Sequence, residues 1–109
     1  MIKNQKCVPC KICAPVLKGG ELNSYLANVP EWKISSDGMK IIRGFEFDNF
    51  SWALEFVNQV GQVAEQEGHH PDICIYDYKK VRIELWTHKI GGLHQNDFIL
   101  ASKISELQN

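Results

Sequence analysis

Residues 50–76 read FSWALEFVNQVGQVAEQEGHHPDICIY, and the fold turns on where this stretch stops being helical. Phe50, Ala53, Leu54, Val57, Val60 and Ala64 recur at the spacing of one helix face, widened by Trp52, Phe56 and Val63. A stripe that broad predicts burial against a sheet and leaves room for a subunit neighbour. Asp48 or Asn49 supplies the N-cap. Gly68 can take the left-handed conformation that closes a helix, and Pro71 pushes His70 into extended backbone. His69 and His70 therefore occupy a sharp corner between helix and strand, a place that commonly displays functional side chains. A His-His pair alone is a weak signal, accounted for equally well by two ordinary polar corner residues. Glu65 stands one turn before His69. It is either a carboxylate partner for that imidazole or a solvated acid at a helix end, since exposed pairs are weak.

Towards the N-terminus, Trp32-Lys33-Ile34-Ser35 reads as a short strand with Trp32 and Ile34 on one face. Ser36-Asp37-Gly38 is a turn, and Lys40 to Phe47 is a second strand in which Ile41, Arg43, Phe45 and Phe47 alternate with Lys40, Ile42, Gly44 and Glu46. A short amphipathic helix, Glu21 to Asn28, places Leu22, Tyr25 and Leu26 on one side and stops at Pro30. Residues 1–19, with Pro9, Pro15, Gly19 and Gly20, form an irregular arm preceding a single domain of residues 20–109.

Towards the C-terminus, Ile73 to Tyr76 is a third strand and Lys79 to His88 a fourth, joined by a turn at Asp77-Tyr78. Val81, Ile83, Leu85 and Thr87 alternate with Arg82, Glu84, Trp86 and His88. The first set belongs under the helices. The second leaves Trp86 fully exposed and His88 at the strand's end. After Gly91-Gly92 comes a last helix, capped by His94 or Asn96, with Asp97 in the first turn and Leu100, Ile104 and Leu107 buried. The order α-β-β-α-β-β-α predicts an α+β domain: one four-stranded antiparallel sheet with helices packed on one face.

The chain has 109 residues, 44% hydrophobic and 23% charged, with a net charge of −1. That bounds it to one ordinary globular domain and offers no electrostatic footprint for nucleic acid. No apolar run approaches the ~20 residues that span a bilayer, and no secretory h-region opens the chain, so a cytoplasmic protein without a membrane partner is expected. Cys7, Cys10 and Cys13 lack a second C-x-x-C to complete a zinc knuckle and read as a reduced tail. Cys74 reads as a small core residue.

With His69-His70-Pro71, Thr87-His88 and Asp97 in place, the chain resembles the pterin-4a-carbinolamine dehydratases from about Gly19 to its end. Glu65 ahead of the pair, Tyr78 ahead of strand four, Trp86-Thr87-His88-Lys89-Ile90-Gly91-Gly92-Leu93 and Asn96-Asp97-Phe98-Ile99-Leu100-Ala101 are similar to bacterial members. Trp32 matches a tryptophan near the family's pocket, and the Cys7–Cys10 tail recurs in some members. Two departures stand out: one extra residue between Pro71 and His88, placed in the Tyr76–Lys79 hairpin, and His94 where a Thr or Ser cap is usual. The second is expected to loosen the cap and with it the placement of Asp97.

The resemblance implies removal of water from a 4a-hydroxytetrahydropterin, giving the quinonoid dihydropterin, with the pterin as substrate and neither cofactor nor metal required. His69, His70 and His88 are the implied catalytic residues, His70 and His88 as the main acid–base pair and His69 positioning or polarising the ring. Glu65, Pro71, Thr87, Lys89, Asp97 and Trp32 are the implied binding or orienting residues. A histidine of ordinary pKa, ~6.5, can serve as acid or base near neutrality. The resemblance also implies a homodimer or homotetramer and a pathway shared with an aromatic amino acid hydroxylase. Other readings are a role in molybdopterin metabolism, a dimerisation cofactor for another protein, or a metal site at His69, His70, His88 and Asp97. The last is disfavoured because adjacent residues on an extended segment point apart.

Overall fold

The computed structural model describes Leu17 and residues 19–107, and of His88 the backbone only. In chain order it forms α1 (Gly19–Ala27), β1 (Lys33–Ile34), β2 (Ile41–Glu46), α2 (Phe50–Glu67), β3 (Asp72–Tyr76), β4 (Lys80–Leu85), a 3₁₀ turn (His88–Ile90) and α3 (Gln95–Glu106). The expected α-β-β-α-β-β-α order and the four-stranded antiparallel sheet are both present. Across the sheet the strands run β1-β2-β4-β3. Each hairpin thus closes on itself, and the two join through β2 and β4, from Ile41↔Leu85 to Glu46↔Lys80. Cys7, Cys10 and Cys13, expected in a reduced tail, lie outside the described residues.

The alternation sorts the sheet into two faces. Ile41, Phe45, Val81, Ile83 and Leu85 are buried beneath the helices, each such side chain contributing about 1.5–3 kcal/mol on leaving water. Arg43 shares their face: its guanidinium lies 4.4 Å from the Phe45 ring centroid and donates to Ser105 Oγ at 2.9 Å. Cys74 pairs with Arg82 on the opposite face and is only half-buried, so it does not join the core as expected. Trp86, expected fully exposed on that face, is instead half-buried. Its Nε1–H donates to Asp72 Oδ2 at 3.4 Å, and Lys40 Nζ sits 5.1 Å from its ring.

Trp32 and Ile34 do not share a face. Trp32 is buried, whereas Ile34 is exposed. Trp32 lies outside the two-residue β1, with its N–H bonded to Val29 O at 3.0 Å in a turn, so strand periodicity does not reach it. The stripe of α2 is also narrower than expected. Ala53, Phe56, Val60 and Ala64 are buried, while Phe50, Trp52 and Leu54 remain exposed on its flanks. Asn49, rather than Asp48, caps α2 by accepting the Trp52 N–H at 2.9 Å.

A candidate active site at the end of the second helix

Gly68 ends α2 at φ 65°, ψ 28°, with its N–H directed at the Ala64 and Glu65 carbonyls. A left-handed glycine is the usual device for turning a chain off a helix. His69 N then bonds Ala64 O at 3.2 Å, Pro71 keeps the corner extended, and β3 starts at Asp72. The two imidazoles leave this corner in opposite senses.

His69 turns inward and is buried. Its Nε2 lies 2.6 Å from Asp97 Oδ1, and Asp97 is wholly inaccessible to solvent. The other carboxylate oxygen accepts the Thr87 hydroxyl at 2.8 Å and the His94 backbone N–H at 2.9 Å. A buried carboxylate is costly unless its oxygens are satisfied, and here three donors converge on it. With Nε2 engaged by Asp97, Nδ1 is the other ring nitrogen through which His69 can hydrogen-bond.

His70 turns outward. Its Nε2 is 2.8 Å from Glu65 Oε1, both side chains being largely exposed. Glu65 therefore partners His70 and not His69: the sharp turn at Gly68 carries His69 beneath the helix end and leaves its neighbour alongside α2. Glu65, His70 and Pro71 border an open groove that continues along α2 past Gln66, Gln62 and Asn58. These carboxamides escaped the sequence reading, although their four-residue spacing places them on one side of the helix.

The strand carrying Thr87 and His88 ends sooner than expected. β4 stops at Leu85, so His88 is not at a strand end but opens the 3₁₀ turn. Thr87 forms an isolated bridge with Gly92, and its carbonyl accepts Ile90 N and Gly91 N at 3.2 and 3.0 Å. That closed loop places the His88 backbone next to Thr87, and so one residue from the Asp97 anchor. Lys89 is exposed in the same turn.

His94, not Asn96, caps α3. Its Nδ1 accepts the Asn96 N–H at 3.2 Å while its own N–H goes to Asp97, a reciprocal cap that holds Asp97 firmly. The expected loosening is absent, because a ring nitrogen serves where a hydroxyl oxygen usually does.

Trp32 is not brought to the histidines. Its Nε1–H donates to Ser105 Oγ at 3.0 Å, eight residues along α3 from Asp97, or roughly 12 Å of helix axis. Among the described residues, no group of three or more His, Cys, Asp and Glu side chains is placed to hold a metal ion, and no helix is long and apolar enough to cross a membrane.

An antiparallel sheet under helices, with an imidazole–carboxylate–hydroxyl set at a helix-to-strand corner, defines a class of small α+β proteins. Residues 15–107 match the pterin 4 alpha carbinolamine dehydratase family, and the chain belongs to it. A protein of Halorhodospira halophila, provisionally named a pterin-4-alpha-carbinolamine dehydratase, is 48% identical over 97% of this chain and 96% of its own. One from Methylococcus capsulatus with the same provisional name is 46% identical over 94% and 90%. The crystal structure of a transcriptional coactivator/pterin dehydratase from Brucella melitensis superposes with a TM-score of 0.80 at 29% identity, covering 87% of this chain and all of that one. A pterin dehydratase-like RuBisCO assembly factor of the alpha-carboxysome shares the fold, with a TM-score of 0.61 at 19% identity over 71% of this chain and 88% of its own.

Proposed function

We propose that this protein is a 4a-hydroxytetrahydropterin dehydratase working by histidine acid–base catalysis. The observation that carries the reading is the buried His69–Asp97–Thr87 set beside the exposed His70–Glu65 pair, in a chain of this family. The reaction breaks the C4a–O bond and forms the C4a=N5 double bond. An acid protonates the departing hydroxyl, which leaves as water, and a base takes the N5 proton. Two imidazoles can divide that work at neutral pH, and proton transfer of this kind contributes typically ~10²–10⁴-fold in rate.

In this reading His70 and His88 exchange protons with the substrate, and His69, fixed by Asp97, presents Nδ1 to the pterin ring. Thr87 secures Asp97, and Glu65 orients His70. Pro71 and Lys89 complete the contacts. The pterin is the substrate and no resident cofactor is needed. The physiological setting is cytoplasmic tetrahydropterin recycling alongside an aromatic amino acid hydroxylase. We further expect a homodimer or homotetramer, supported by Phe50 and Leu54, exposed one turn apart on a flank of α2.

The test is to generate the 4a-hydroxy intermediate with a hydroxylase and follow its dehydration by absorbance. The protein is expected to accelerate the step, with no response to a chelator. An unchanged rate would sink the proposal, and loss of activity on chelation, restored by zinc, would replace acid–base catalysis with metal catalysis.

A further inference from the structure

We infer that Glu67 and Lys103 are a positioning pair for His69, an inference that rests on the acid–base reading above. Glu67 closes α2, its side chain only 7% exposed, with Oε2 3.5 Å from Lys103 Nζ on α3. A carboxylate in the last turn opposes the helix dipole, and burying it adds a desolvation cost. α2 has no basic residue in that turn to offset it. Helix stability alone would favour a neutral or basic residue there. The acid makes sense as an attachment to α3.

Two attachments between these elements, among the described residues, have opposite polarity. At Glu67–Lys103 the helix end gives the acid and α3 the base; at His69–Asp97 the corner gives the imidazole and α3 the acid. Only Gly68 separates Glu67 from His69, while Lys103 and Asp97 stand six residues apart, roughly 9 Å along α3. A single contact fixes a distance, whereas two contacts set that far apart fix the angle between the helix end and α3. Gly68, in its left-handed conformation, is the joint through which a change in that angle would reach the His69 ring. Misplacement by ~1 Å of a group that orients the substrate can cost on the order of 10²-fold in rate.

The experiment compares Lys103→Met, which keeps the aliphatic stem, with Lys103→Arg, which keeps the charge, and with the near-isosteric Glu67→Gln. Each is measured for kcat, KM, melting temperature and the downfield proton resonance of the His69–Asp97 hydrogen bond. Lys103→Met and Glu67→Gln are expected to lower kcat by about tenfold or more, with KM within roughly twofold, and to shift or broaden that resonance. Lys103→Arg should restore both. Should Lys103→Met fail to fold, Glu67→Gln carries the test. A fall in melting temperature with kcat and the resonance unmoved would overturn the inference, leaving the pair purely structural. If the wild-type protein shows no dehydratase activity, that reading fails separately, and the resonance still decides the positioning.

Discussion

His94 and Asp97 cap the last helix together: the His94 N–H reaches Asp97 Oδ2 at 2.9 Å, while His94 Nδ1 accepts the Asn96 N–H. The residue that starts the helix therefore also holds the carboxylate on which His69 rests. His94→Ala should cost about 1 kcal/mol, as for loss of an ordinary N-cap, and His94→Ser should recover most of it. Urea unfolding of the three proteins measures the difference, and equal midpoints would show that the ring contributes nothing to the cap.

The neighbouring histidines should separate in their effects. His70→Ala removes an exposed pair and is expected to stay within ~0.5 kcal/mol of wild type in stability while losing on the order of 10²-fold or more in activity. His69→Ala strips a buried partner from Asp97 and should cost a few kcal/mol, about 3 for a broken buried pair, along with activity. Thermal melts and kinetics on both variants provide the check. A His70 variant that unfolds as readily as the His69 variant would contradict the inward and outward assignment.

Far from the histidines, Asp37 organises the first hairpin turn. The Ser35 hydroxyl, donating at 2.6 Å, holds the Asp37 carboxyl below its ordinary value, helped by the Met39 N–H at 3.0 Å. Because the folded value is the lower one, this support is complete above the ordinary carboxyl range and is lost as pH falls through the folded value. Amide exchange at Met39, taken relative to its intrinsic rate, should quicken on acidification in the wild type. In Asp37→Asn it should be quick throughout and insensitive to pH in that window, apart from the intrinsic chemistry of exchange.

Self-association is expected to respond to the flank of α2. Leu54→Lys should lower the mass seen by light scattering at micromolar concentration, whereas Trp86→Lys should leave it unchanged, since Trp86 is already engaged by Asp72 and Lys40. A monomeric wild type would end this reading, and a response to Trp86→Lys alone would move the contact to the open sheet face.

Much of this was legible because two signals are local. Helical spacing of Ala53, Val60 and Ala64 marks the buried side of α2, and Gly68 with Pro71 marks its end, each depending only on neighbours in the chain. Contacts that depend on distant partners were not legible. Nothing near Glu65 says which of two adjacent imidazoles it will meet, since that follows from the direction taken after a left-handed glycine. Trp32 looked like a strand residue because its apolar character was plain, but its place is set by Ser105, more than seventy positions away. The end of β4 before Thr87 follows from the Thr87–Gly92 bridge, which competes with continued pairing.

The strand order β1-β2-β4-β3 bears on how the protein reaches its native state. Both hairpins can form from nearby residues, but the sheet is completed only when β2 meets β4, closing a loop on the order of 30 residues at an entropic cost that precedes any reward. That loop contains all of α2 and the corner with both histidines, and the strand that closes it leads directly into Thr87. The step that completes the sheet is thus the step that brings the Thr87 anchor to the histidine corner. Recovery of activity after dilution from denaturant should track formation of the β2–β4 pairing, not the earlier appearance of helix.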